Sequence, residues 1–148
     1  MSKKSTKSKK SSFRRAKIPH PAKFVRRPNP TTGNLPRIKV FGIAFDPEDL
    51  VGWAAERNVL QKEALGNREF GSLQMIMGEL PDSFRWGVVT PHHGDLVKMC
   101  IIIGSNESQQ TMSNAYNPLR AEVVQDVLGT QFGEPKWYFL REDFEYDS

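Results

Sequence analysis

The stretch RIKVFGIAFDPEDL, residues 37–50, says more about the fold than any other part of the chain. Within Arg37–Phe45, Ile38, Val40, Phe41, Ile43 and Phe45 are the β-branched and aromatic residues of a strand with apolar groups on both faces. A strand of that kind has to be covered on both sides, which places it in the middle of a sheet. The next residues turn the chain into a helix. Asp46 offers a carboxylate to the orphan amides, Pro47 suits the first helical position, and Glu48 and Asp49 sit at the positive end of the helix dipole. Leu50, Trp53 and Ala54 then share one face.

Working downstream, Asn58 marks a break, and a second helical stretch falls within Val59–Leu80. Gly66, Gly71 and Gly78 weaken it by roughly 1 kcal/mol each relative to alanine. Phe84–Thr90 alternates as a strand with Phe84, Trp86 and Val88 on one side. Pro91-His92-His93-Gly94-Asp95 supplies turn residues, and Leu96–Ile103 returns as an apolar strand, completing a hairpin. A polar stretch, Gly104–Asn117, reads as a long loop. Asn117-Pro118 starts a helix striped by Leu119, Val123, Val124, Val127 and Leu128, and Gly129 ends it. Lys136–Leu140 is an aromatic strand.

The order is strand, helices, strand, strand, helix, strand, which gives an α+β fold with the split β-α-β arrangement of ferredoxin-like domains. In that topology the first and third strands are central, and they are the two most apolar on both faces. Alternation puts Phe41, Ile43, Cys100 and Ile102 on one side, with Val40, Met99, Ile101 and Ile103 on the other. Neither side suits water. The face without helices therefore needs a cover: the extra helix of the 59–80 region, a second copy of the chain making a homo-oligomer, or a bound partner.

Working upstream, the composition changes abruptly. Residues 1–30 hold 7 Lys and 4 Arg with no Asp or Glu, a charge of +11, whereas the remaining 118 residues hold 10 basic and 17 acidic side chains, −7. The formal net charge of +4 conceals this split. Pro19, Pro21, Pro28 and Pro30 break any helix, and few apolar groups are present to repay ordering. The expected organisation is a disordered basic tail and linker over 1–34, one folded domain over 35–141, and an acidic, frayed C-terminus over 142–148. Thr31-Thr32-Gly33-Asn34 is the turn into the body.

The tail cations Lys3, Lys4, Lys7, Lys9, Lys10, Arg14, Arg15, Lys17, Lys23, Arg26 and Arg27 are the main candidate site, because such clusters gain affinity for polyanions by releasing counterions. The expected partner is an acidic macromolecule, DNA or RNA first. Lys9-Lys10 with Arg14-Arg15-Lys17 also resembles a nuclear-import cluster. The polar loop is a second candidate, with Ser105, Asn106, Ser108, Gln109, Thr111 and Asn114 as ligand groups beside a helix start. It would serve a small enzyme if it met His92 and His93. The alternative use of the basic arm is in a structural or assembly subunit. An RNA-recognition sheet is disfavoured, since Leu96–Gly104 carries no aromatic and no basic-Gly-aromatic signature. Cys100 lies mid-strand among apolar residues and reads as a buried structural thiol, and no disulfide can form from one cysteine. His92-His93 lack the companions of a metal site, so neither metal nor cofactor is expected. No apolar run approaches membrane-spanning length and no secretory signal is visible, which points to an intracellular protein of nucleus or cytoplasm.

Overall fold

Strand β1, Lys39–Phe45, forms where the alternating apolar residues predicted it, and helix α1, Pro47–Arg57, follows with Pro47 in its first turn. The carboxylate Oδ2 of Asp49 accepts the Asp46 amide at 2.8 Å, closing the helix start. Asn58 ends the helix in the left-handed region, φ 56°. The computed structural model describes residues 19–90 and 97–141. Within them the chain continues through α2, Leu65–Glu79, β2, Arg85–Thr90, β3, Lys98–Ser105, α3, Gln109–Ala115, α4, Pro118–Leu128, a 3₁₀ turn at Thr130–Phe132, and β4, Lys136–Leu140. The domain is thus mixed α+β, with a four-strand antiparallel sheet and four α-helices among the described residues. None of those helices is long and apolar enough to cross a membrane.

The pairing runs β4–β1–β3–β2, and β2 also meets β4 through Val89 with Leu140 and Thr90 with Phe139. The sheet is closed. This answers the problem of the helix-free face. Ile38, Val40, Val89, Cys100, Ile102, Tyr138 and Leu140 form a core of their own inside the curled sheet. The expected extra helix, second copy or partner over an open face is corrected: the sheet covers that face by rolling onto itself, which also removes a pair of exposed edges.

The allocation of side chains is corrected too. Phe41 and Ile43 share the outer, helix-covered side with Met99, Ile101 and Ile103, while Val40 shares the inside with Cys100 and Ile102. Alternation within each strand held, but the match between strands depends on register. Ile43 faces Ile101 and Ala44 faces Cys100, and a bulge interrupts the ladder between Phe41 and Gly42. Glycine is required at both ends of this irregularity. A Cβ on Gly42 would strike the Ile101 carbonyl and Cys100 Sγ, and one on Gly104 would strike the backbone of Ala115 in α3.

The main core lies between the outer sheet face and α1, α2 and α4, centred on Phe45, Trp53, Ile76, Ile101, Ile103 and Leu128. Trp53 Nε1 donates to the Val127 carbonyl at 2.9 Å, tying α1 to α4. In α4 only Val124 and Leu128 of the expected stripe are fully buried, whereas Leu119 is 65% exposed.

Candidate nucleic-acid interface

Residues 19–36 contain five prolines and no regular secondary structure, yet they lie against the body as a strap. These residues fall in the part of the chain expected to be a basic tail and linker over 1–34, and they make contacts with the body. Ala22 is small enough to enter a cluster with Met112, Ala115 and Trp137, and Val25 packs beside it. The Tyr116 hydroxyl donates to the Ala22 carbonyl at 2.5 Å. The Arg26 amide donates to the Asn106 carbonyl at 2.9 Å, and Arg26 Nη1 to the Pro36 carbonyl at 3.0 Å. Between these anchors the predicted turn forms: Asn29 Oδ1 accepts the amides of Thr31 and Thr32, and Gly33 adopts φ 77°.

Beside the strap, β1 begins at a group of cations around one aromatic ring. Lys39 pairs with Phe139 across the β1–β4 ladder. The Arg37 guanidinium carbon sits over the Phe139 ring, 4.3 Å from its centroid, and Lys39 Nζ lies 6.0 Å from the same centroid. Lys39 Nζ also donates to the His20 carbonyl at 3.2 Å, so strap and strand meet here. Arg26 reaches the same place through Pro36, the residue before Arg37.

The segment that builds this surface is free of acidic residues along the sequence. From residue 1 to Phe45 the chain holds 13 Lys and Arg and no Asp or Glu. The remaining 103 residues hold 8 and 17, a charge of −9. Among the described residues the ion pairs are Arg85 with Glu107 at 2.8 Å and Lys98 with Asp46 at 3.6 Å, and neither involves Lys23, Arg26, Arg27, Arg37 or Lys39. Among the described residues those five cations have no carboxylate partner. Two arginines of the helices are likewise held by a ring and a carbonyl. Arg57 lies over Trp53 and donates to the Val127 carbonyl, while Arg120 lies over Phe84 and donates to the Ile103 carbonyl and Ser83.

Of the expected tail cations, Lys23 and Arg27 are exposed on the strap and Arg26 is half-buried. Lys3, Lys4, Lys7, Lys9, Lys10, Arg14, Arg15 and Lys17 lie outside the described residues, as do His92, His93 and the segment 142–148. Arg37, Lys39 and Phe139 were not expected in a site. The acid-free run past residue 30 was the signal for the two cations, whereas Phe139 joins them only through long-range pairing.

The expected ligand loop has another form. Its first residues extend β3, and Gln109–Ala115 is helix α3. Ser105 is fully buried and its hydroxyl donates to Glu107. Asn106 Oδ1 accepts the Lys39 amide at 3.0 Å. Ser108 and Thr111 cap α3 reciprocally, and Gln110 donates to Asn114. Gln109 is exposed in the first turn. The polarity of this segment serves caps and strand extension. No group of three or more His, Cys, Asp or Glu among the described residues is placed to hold a metal ion.

No family model, curated protein or solved structure matches this chain. Its function has to be argued from the site itself.

Proposed function

We propose that this is a non-enzymatic nucleic-acid-binding protein that holds the phosphate backbone with its basic N-terminal arm, the strap, and the cations at the start of β1. The observation that carries the reading is that Lys23, Arg26, Arg27, Arg37 and Lys39 lie on one continuous acid-free segment without a carboxylate partner among the described residues. Elsewhere Arg85 and Lys98 pair with carboxylates, and Arg57 and Arg120 lie over aromatic rings. A strap fixed to the body gives part of the basic segment a defined position, so the eight cations of residues 1–18 extend a site rather than form one alone. The acidic helices face a different partner or solvent, because they repel the same backbone.

A ferredoxin-like reading of the fold is supported by the central placing of β1 and β3 and by the order β4–β1–β3–β2. Sheet closure and the additional helix α3 would be departures from the plain form. Action inside the cell, in nucleus or cytoplasm, fits a nucleic-acid partner.

The test is a titration with nucleic acid across a salt series, comparing the full chain with a variant in which the five described cations are replaced by glutamine. Affinity of the full chain should fall steeply with salt. The substitutions should flatten the dependence by roughly 0.7–0.9 in log–log slope for each lost phosphate contact. Salt-insensitive binding, or an unchanged slope in the variant, refutes the assignment.

A further inference from the structure

We infer that the nucleic acid recognised at this surface is single-stranded, with a base stacking on the Arg37–Phe139 pair, an inference that rests on the nucleic-acid reading above. Three observations lead there. Arg37 is exposed while its guanidinium is held over the Phe139 ring at 4.3 Å, so a flat cation is presented in a fixed place. Unpaired bases stack on aromatic rings and on guanidinium planes, whereas a duplex keeps its base faces covered. Flanking cations are already present for the adjoining phosphates: Lys39 beside the ring and Arg26 at Pro36.

Second, the described helices are unsuited to a duplex groove. A helix reading the major groove presents exposed basic side chains to base edges and phosphates. Helix α1 carries Glu48, Asp49 and Glu56 against Arg57, and α4 carries Glu122 and Asp126 against Arg120. Third, the strap runs without regular structure past the cation–aromatic group, a shape that follows an extended strand rather than filling a groove. Because a stacked base and a surface charge contribute separately, Arg37 serves two purposes that substitution can separate.

Electrostatics alone would favour duplex, whose charge density is higher. A preference for single strands therefore reports stacking. The experiment measures anisotropy of a labelled oligothymidylate, an abasic chain of equal length and a duplex of equal length, with the full chain and with Arg37→Lys. The full chain should bind oligothymidylate roughly tenfold more tightly than duplex, in line with about 1–3 kcal/mol for stacking one base. Arg37→Lys should lose roughly fivefold on oligothymidylate with the salt slope unchanged, and nothing on the abasic chain. Phe139→Leu, with circular dichroism as a folding check, should reproduce the loss. Duplex binding as tight as single-strand binding, or equal affinity of parent and Arg37→Lys for oligothymidylate, overturns the inference. Absence of salt-sensitive binding to all three probes instead removes the nucleic-acid reading itself.

Discussion

Replacing Asn106 with alanine tests how the strap is joined to the sheet. Asn106 is only 5% exposed and makes three bonds at one point: Oδ1 accepts the Lys39 amide at 3.0 Å, its amide donates to the Lys39 carbonyl at 3.1 Å, and its carbonyl accepts the Arg26 amide at 2.9 Å. Alanine keeps the two main-chain bonds and deletes the first. The Lys39 amide then lacks an acceptor where water has partial access. A buried orphan donor costs about 1–3 kcal/mol, and partial access puts the expected loss at about 1–2 kcal/mol. For a chain of this size that is a fall of roughly 3–10 °C in Tm. Asn114→Ala is the control, because it removes a bond to Gln110 on an exposed helix face and should cost about 0.5 kcal/mol or less. Denaturant melts supply the stabilities, and hydrogen exchange reads the Lys39 and Arg26 amides individually. Faster exchange at both is expected, since the Arg26 acceptor sits on the loosened residue. If Asn106→Ala melts with Asn114→Ala and leaves both amides protected, the bond at Lys39 does not hold strap and strand together.

Tyr116→Phe removes the bond to the Ala22 carbonyl and should speed limited trypsin cleavage at Lys23 and Arg26 roughly fivefold, the ratio given by about 1 kcal/mol; unchanged cleavage kinetics would contradict a strap held there. Burial pushes the Cys100 thiol far above its ordinary value of 9.0, so the native protein should resist thiol reagents at mildly alkaline pH and react only on unfolding; rapid labelling of native protein would show that the closed sheet is open to solvent. Burial raises the Tyr138 phenol from 10.0 to about 12. The unfolded chain releases this proton first, so Tyr138 contributes stability that is present below pH 10 and lost between pH 10 and 12. Tyr138→Phe should shallow the alkaline fall in denaturant midpoint, and an identical pH profile in the variant would refute that contribution.

Much of the chain declared itself locally, and what did not has identifiable causes. Helix α4 starts at Pro118 because Asn117 and Pro118 are a cap and a first-turn residue side by side. Strand β4 is legible because Trp137, Tyr138 and Phe139 suit a pleated surface, bounded here by Gly133 and Pro135. By contrast α3, QQTMSNA, has only Met112 and Ala115 to mark a buried face. It forms because Ser108 and Thr111 cap it and because Gly104 lets Ala115 approach β3. Neither cause is visible as periodicity. The closure of the sheet leaves no local trace either, since it rests on Val89 meeting Leu140, more than fifty positions away. The site divides in the same manner. Lys23, Arg26 and Arg27 stand out by charge, but Arg37 and Lys39 sit inside a strand pattern, and the ladder alone brings Phe139 to them.

How the strap is attached determines what its charges can do. Had the cations been docked on carboxylates of the body, each contact that ordered the strap would also have cancelled part of its field. The observed anchors avoid that conflict. The Ala22, His20 and Pro36 carbonyls accept bonds from Tyr116, Lys39 and Arg26, and the Arg26 amide bonds to Asn106. The contacts that fix position involve neutral acceptors, so ordering leaves the net charge intact. Prolines lower the number of conformations the free strap would otherwise explore, which reduces the cost of holding it with so few contacts. The result is a basic segment whose position is set by the body itself, and an ordered cation would lose less entropy on meeting an anion than one on a free chain.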